Sequence, residues 1–294
     1  MTSTTDHSTF HIGGDMPVAR MGYGAMQLTG PGVWGPPQDP ANAQAVLRRA
    51  VELGVDFIDT ADVYGPGDNE RLIRAALHPY AAGLRIATKA GLVRNGPATR
   101  ENPGISTNGT EAHIRRAVEG SLRDLGVERI DLYQLHRVDP ATPIEDTMGV
   151  FRALRDEGKV RHIGLSEVGV AEIERARSVV EIATVQNVFS LAIRRHDEVL
   201  AHCERSGIGF IPFWPLHLEA LADSEVLARI AAETAAATTQ VALAWLLKKS
   251  PSIILIPGTS SVAHLEQNVA ARDLELSDAQ MVALDSLAGD VALT

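Results

Sequence analysis

Eight short apolar runs alternate with amphipathic stretches along this chain, and that rhythm constrains the fold more than any other feature. The runs lie near 20–24, 55–58, 84–88, 130–135, 161–165, 183–187, 208–212 and 253–256. Helical spacing of apolar residues recurs near 41–54, 68–78, 110–126, 143–158, 169–180, 195–207, 223–250 and 262–272. Strand followed by helix, repeated, reads as α/β with a parallel sheet. Ahead of the first run, Thr9 to Asp15 carries a Gly13-Gly14 turn and reads as a hairpin. Ser277-Asp278 is a good N-cap for a last helix over about 277–288. The 294 residues contain no linker-like stretch, so one domain over 1–294 is expected, with polar residues 1–9 disordered. Three irregular segments, 28–40, 90–109 and 213–222, all follow strand ends and would overhang one face. Long loops in a compact domain are usually functional or mobile, so substrate choice is expected there.

Four residues stand where apolar runs stop. Phe57-Ile58 leads into Asp59 and, five residues on, Tyr64. The run 84–88 leads into Lys89, and the run 130–135 into His136. A parallel barrel presents catalytic groups in this way, from the ends of several strands on one face. The chemistry is coherent. A free phenol has a pKa of about 10. A nearby ammonium favours the phenolate and lowers that value, and a carboxylate can hold the ammonium. An imidazole can donate to the same substrate oxygen. The set is equipped to protonate a carbonyl oxygen while hydride reaches carbon, with Tyr64 as general acid.

At these residues the chain resembles the aldo-keto reductase family. The stretch Gly54-Val55-Asp56-Phe57-Ile58-Asp59-Thr60-Ala61-Asp62-Val63-Tyr64-Gly65 looks like that family's signature. Thr88-Lys89, Leu135-His136 and Ile254 to Thr259 agree with it in order. The opening Gly22 to Leu28 and the segment Ile256 to Leu265 look similar to bacterial pyridoxal reductase-like members. The resemblance covers roughly residues 18–290. It implies a (β/α)8 TIM barrel, with the hairpin in front and the last helix behind, that reduces an aldehyde or ketone with NADPH. Pyridoxal to pyridoxine is the substrate pair it suggests. Trp34, with Tyr64 and His136, is then expected to wall the substrate pocket, lying over a flat ring.

The resemblance also implies a dinucleotide site across the barrel mouth. The matching positions are Gly24, Ala25, Met26, Asp59, Ser166, Glu167, Gln186, Phe213, Trp214, Pro215, Leu216, Gly258, Thr259, Ser260, Ser261, His264, Gln267 and Asn268. Ser166 and Gln186 match residues that hold the carboxamide. Glu167 stands where Asn is commoner, and Phe213 where an aromatic stacks on nicotinamide. Gly258 to Ser261 lead into a helix whose N-terminus suits phosphate. Much of the family places Lys or Arg in this segment for the 2′-phosphate; here Gly258 to Asn268 holds neither, so Ser260, Ser261 and His264 must substitute.

Other classes fit poorly. Gly22-Tyr23-Gly24 begins a Gly-x-Gly-x-x-Gly pattern, but Gln27 takes the last glycine position. No His-Glu-x-x-His, Cys-x-x-Cys or Gly-x-Ser-x-Gly spacing occurs, so neither a metal site nor a serine hydrolase is expected. A net charge of −10 argues against a nucleic-acid partner. No run is long enough to span a membrane. The single cysteine, Cys203, fits packing in a cytoplasmic protein. The expected partner is a small-molecule carbonyl substrate. Two alternatives remain: a reductase of a biosynthetic ketone or sugar, and a non-catalytic NADPH-sensing binding module.

Overall fold

A computed structural model describes residues 8–287. Two strands, β1 (Thr9–Ile12) and β2 (Met16–Ala19), pair antiparallel across the Gly13-Gly14 turn. Both glycines have positive φ, the backbone that a two-residue hairpin turn demands. Strand β1 therefore includes Thr9, which the sequence assigned to a disordered tail. Residues 1–7 of that tail lie outside the described residues.

The barrel follows. Its strands are β3 (Tyr23–Gly24), β4 (Phe57–Asp59) and β5 (Arg85–Ala90), then, after a separate hairpin of β6 (Leu92–Arg94) and β7 (Ile105–Thr107), β8 (Ile130–Leu135), β9 (Val160–Ser166), β10 (Thr184–Val188) and β11 (Gly209–Phe213). The barrel strands pair parallel in chain order. The eighth run does not form a ladder but bridges both edges, Ile253 to Phe210 and Leu255 to Met21. Leu255 N–H donates to Arg20 O and Gly22 N–H to Leu255 O, both at 2.8 Å, which closes the ring. Helices α1 (Pro40–Glu52), α2 (Asp68–Leu77), α3 (Glu111–Leu125), α4 (Ile144–Asp156), α5 (Val170–Arg177), α6 (Asp197–Ser206), α7 (Glu225–Glu233), α8 (Thr238–Lys249) and α9 (Val262–Ala270) lie between or after the strands, and α10 (Asp278–Asp285) ends the fold.

Period-two alternation sorts the core into two layers. Phe57, Ala87, Leu132 and Ile211 point inward and pack with Ile12, Met16 and Val18 of the hairpin, which plugs the barrel floor. Ile58, Ile86 and Tyr133, one residue out of phase, pack outward among the helices with Trp245 and Phe151. Capping residues set several helix starts. Asp39 accepts from Asn42 N–H at 2.9 Å ahead of Pro40, and Ser277 accepts from Gln280 N–H at 3.3 Å.

Three expectations are corrected. The helix read over 223–250 is two helices, α7 and α8, bent by 89°. Ala235 turns left-handed at φ 51°, and Gln240 caps the new start by accepting from Ala237 N–H at 3.0 Å. Both helices are apolar because they line the core, and no single helix among the described residues is long and apolar enough to cross a membrane. The segment read as a loop over 90–109 contains the antiparallel β6–β7 hairpin. The last helix stops at Asp285, short of the expected 288, which lies outside the described residues.

Candidate active site

The alternation that buries Phe57, Ala87 and Leu132 inside the barrel puts the residue two further along each strand on the same face. Those residues are Asp59, Lys89 and Gln134, at the C-terminal ends of β4, β5 and β8. The apolar interior thus passes into a polar layer at the mouth. Lys89 is fully buried and Asp59 nearly so. Lys89 Nζ donates to Asp59 Oδ2 at 2.5 Å, to Thr60 O at 2.8 Å and to the Tyr64 hydroxyl at 3.5 Å. The other carboxylate oxygen, Asp59 Oδ1, accepts from Gln134 Nε2 at 3.1 Å and Gln186 Nε2 at 2.9 Å. His136 follows β8, its ring edge-on to Tyr64 with centroids 5.9 Å apart. The four strand-end residues therefore meet at one place.

Burial raises the Tyr64 pKa above its ordinary 10.0; Lys89 pulls it down and Asp59 raises it further. The sequence expectation of a lowered phenol pKa is corrected on this point: the ammonium opposes desolvation without overcoming it. Burial pulls Lys89 down, but the charges of Asp59 and Tyr64 and their hydrogen bonds leave it raised above 10.5. Burial, followed by the charges of Lys89, Arg137 and Arg94, holds His136 well below 6.5, so its imidazole is neutral. His136 Nδ1 is buried without a hydrogen-bond partner among the described residues, so packing holds the ring. The arrangement is a protonated phenol, a neutral imidazole and a fixed ammonium around one point.

With Lys89 buried behind them, Asp59, Tyr64 and His136 line a cavity of about 660 Å³. It also touches Gly24, Met26, Ser166, Gln186, Phe213, Trp214, Pro215, Leu216 and Gly258 from the expected dinucleotide set. A cofactor fits these residues. The backbones of the first and eighth strands approach so closely that a Cβ on Gly24 would lie 2.6 Å from Ile256 O, and one on Gly258 2.8 Å from Gly24 O. Ser261 caps α9, accepting from His264 N–H at 3.4 Å. Ser260 lines a neighbouring cleft with Met26, Gln27 and Asn42. His264 and Gln267 are exposed on α9, whereas Asn268 is buried. Ala25 and Thr259 are buried too, and Thr259 O accepts from Tyr23 OH at 2.6 Å.

Glu167 and Trp34 also stand apart from the cavity lining. Glu167 turns left-handed at φ 55°, and its carboxylate is taken up by Arg195, by His196 Nε2 at 3.1 Å and by Val188 N–H at 3.2 Å. Burial would raise its pKa, but those bonds bring it to about 2. Trp34 is 43% exposed; its neighbour Val33, at φ 57°, reaches the cavity in its place. Three residues passed over in the sequence also belong here. Gln134 bonds Asp59. Arg137 donates to His136 O at 2.6 Å and Ser166 Oγ at 2.9 Å, and lies 5.5 Å over the Phe213 ring. Arg94 reaches in from β6. Arg137 directly follows the marked His136, a position that could have signalled it; Arg94 sits in a stretch read as loop.

Comparison with known proteins agrees with this geometry. An uncharacterised oxidoreductase of Schizosaccharomyces pombe is 46% identical over 273 residues, covering 92% of this chain and 87% of that protein. Pyridoxine 4-dehydrogenase of Escherichia coli is 43% identical over 286 residues, covering 95% and 98%. Among solved structures, an aldo-keto reductase from Klebsiella pneumoniae in complex with NADPH superposes with a TM-score of 0.81 at 26% identity, covering 95% of this chain and 94% of that one. The aldo/keto reductase family model matches residues 20–288, from the first barrel strand past the last helix. A match of that extent, over a barrel whose mouth gathers Asp59, Tyr64, Lys89 and His136, settles the membership: the chain belongs to the aldo/keto reductase family.

Proposed function

We propose that this protein reduces an aldehyde or ketone to an alcohol with NADPH, with Tyr64 as the general acid and pyridoxal as its substrate. The observation that carries the reading is the buried chain from Gln134 and Gln186 through Asp59 and Lys89 to the Tyr64 hydroxyl, at the base of a cavity. When bound, the reduced nicotinamide supplies hydride to the carbonyl carbon. Tyr64 gives its proton to the carbonyl oxygen. His136, being neutral, can donate a hydrogen bond to the same oxygen and orient it. Lys89 sits where it stabilises the phenolate that remains, and Asp59 fixes Lys89. Ser166 and Phe213 are the residues that would hold the nicotinamide, and the α9 N-terminus the phosphate. The lone thiol, Cys203, is buried with its pKa pushed up to about 12, so it takes no part; we expect the protein to act in the cytoplasm.

The pH profile tests the acid. Tyr64 titrates above 10 and His136 below 6.5. Neither changes charge between these limits, so reductive kcat/KM for a carbonyl substrate that does not itself ionise in this range, at saturating NADPH, should be flat from about pH 7 to pH 9. A plot of log kcat/KM against pH that bends inside this window would assign the acid to another group.

Pyridoxal is favoured by the E. coli relative and by the apolar walls at Met26, Val33, Leu92 and Ile105, which suit a flat ring. An NADPH-consumption assay over pyridoxal, simple aryl aldehydes, ketones and sugars, with product identification, checks it. Pyridoxal should have the highest kcat/KM; a value far below that of simple aryl aldehydes would remove the pyridoxal reading and leave the reductase. No turnover on any carbonyl would instead favour the NADPH-sensing module.

Cofactor choice follows from charge. Each charge-assisted contact to the 2′-phosphate is worth about 1.5–3 kcal/mol. Serines, helix N–H groups and one histidine offer fewer such contacts than a basic cluster. NADPH should therefore be preferred over NADH, but less steeply than where a basic cluster holds the 2′-phosphate. The measurement is kcat/KM for both cofactors in the wild type and in His264→Ala. An unchanged ratio in the variant would exclude His264, and a preference for NADH would overturn the cofactor assignment.

A further inference from the structure

The cavity has one feature that carbonyl reduction alone does not require. Its substrate-side walls are apolar, yet the guanidinium of Arg94 enters among Val33, Leu92 and Ile105. Arg94 Nε donates to Val63 O at 3.3 Å and Nη1 to Pro103 O at 2.9 Å. Both partners are neutral carbonyls, Nη2 has no partner among the described residues, and no carboxylate there pairs with this side chain. The cavity's own carboxylates are spent elsewhere, Asp59 on Lys89 and Glu219 on His217 at 3.1 Å. The second guanidinium, Arg137, is committed on the other side to His136 O, Ser166 Oγ and the Phe213 ring. Arg137 makes both of those hydrogen bonds through Nη1 and keeps donors of its own; Arg94 is the guanidinium with an unpartnered Nη2 among the described residues on the apolar side of the cavity, beside Leu92 and Ile105. It is anchored to the carbonyl of the residue just before Tyr64, so an incoming carbonyl held by Tyr64 lies close to it.

We infer that Arg94 makes the site select carbonyl compounds that carry a negatively charged oxygen, a carboxylate or a phenolate, on the same flat framework as the reacting group. This rests on the reading of Tyr64 and His136 as the carbonyl-oxygen site. A partly buried guanidinium with only neutral partners gains a charge-assisted hydrogen bond when an anion arrives, worth about ten- to a hundredfold in affinity. The chain as a whole carries a charge of −10 and would repel such a substrate, so a local cation is the means of admitting it. A hydroxypyridine aldehyde whose hydroxyl is ionised beside the carbonyl meets this requirement, and so does a carboxylated aryl aldehyde.

Matched substrate pairs test the inference: meta-carboxybenzaldehyde against its methyl ester, and a hydroxypyridine aldehyde, hydroxyl ortho to the carbonyl, against its deoxy counterpart. The wild-type enzyme with NADPH should favour each anion by about tenfold or more in kcat/KM. Arg94→Gln should bring both ratios to within about twofold of unity while the neutral partners keep their kcat/KM within about threefold, and Arg94→Lys should restore part of the preference. The neutral substrates report whether the variant site is intact. Ratios near unity in the wild type, or ratios unchanged in Arg94→Gln, overturn the inference. An equal loss on anionic and neutral substrates overturns it too, since Arg94 would then only tie the β6–β7 hairpin to Val63 and Pro103. If the wild type turns over none of the four compounds, the carbonyl-site reading fails first and takes this inference with it.

Discussion

Tyr64→Phe should lower reductive kcat/KM by at least about a hundredfold, the range expected for loss of a positioned general acid, while NADPH affinity stays within about threefold. The substitution removes one oxygen. That oxygen is 3.5 Å from Lys89 Nζ, so the ammonium keeps its shorter bonds to Asp59 and Thr60 O. The ring keeps its edge-on contact with His136 and its packing against Val63 and Leu92. No ion pair is broken, so the fold and the dinucleotide wall should persist, and the loss should fall on kcat. Steady-state kinetics together with a fluorescence titration of NADPH separate the two effects. A variant with near-wild-type turnover would mean that another group delivers the proton; His136, held neutral by burial, would be the next to test by substitution.

Much of this site was legible in the sequence for one physical reason. A strand that must bury its apolar side chains inside a barrel announces its end where polarity begins, and inward-facing residues at that end can only point at the mouth. Asp59, Lys89 and His136 were found in this way, and Tyr64 by its spacing from Asp59. Contacts between distant residues were not legible. Glu167 meets Arg195 and His196 across 28 and 29 positions, and no local pattern foretells the pairing that draws its carboxylate away. Gln134 and Gln186 reach Asp59 across 75 and 127 positions. The identity of neighbouring charges was also easier to read than burial. The ammonium beside Tyr64 was foreseen, but the desolvation that outweighs it is a property of the assembled cavity. Short irregular turns defeated the reading at Val33 and Ala235, both non-glycine residues with positive φ: Gly32 and Gly35 mark the first turn without showing which side chain it carries inward, and no glycine stands near Ala235. The resemblance of its loop pointed to Trp34, yet the backbone turn at Val33 decides which of the two side chains meets the cavity.

Lys89→Met should do two kinds of damage, and a second substitution should separate them. The ammonium is fully buried, and its removal leaves the Asp59 carboxylate in the barrel with, among the described residues, only the amides of Gln134 and Gln186 as donors. An uncompensated buried charge costs about 3–5 kcal/mol, so Tm should fall by roughly 6–15 °C. Turnover should fall by about a hundredfold or more, because the phenolate formed from Tyr64 loses the cation beside it. The sign of the pH dependence follows from Lys89. Its folded-state pKa is raised above 10.5, so the pair's contribution to wild-type stability is complete below that value and is lost as pH climbs through the folded pKa. Wild-type Tm should accordingly show no Lys89-linked change between about pH 6 and pH 9. In the double variant Asp59→Asn/Lys89→Met both charges are gone, and a neutral pair of similar volume is often as stable as the ion pair it replaces. Most of the lost Tm should return while turnover stays low. Recovery of both would show that the pair only holds the barrel together, with Tyr64 needing no cation. Recovery of neither would mean that the amide introduced in place of the Asp59 carboxylate, facing the two glutamine amides, cannot satisfy its own hydrogen bonds, and Asp59→Ala in the Lys89→Met background would then measure the charge term alone.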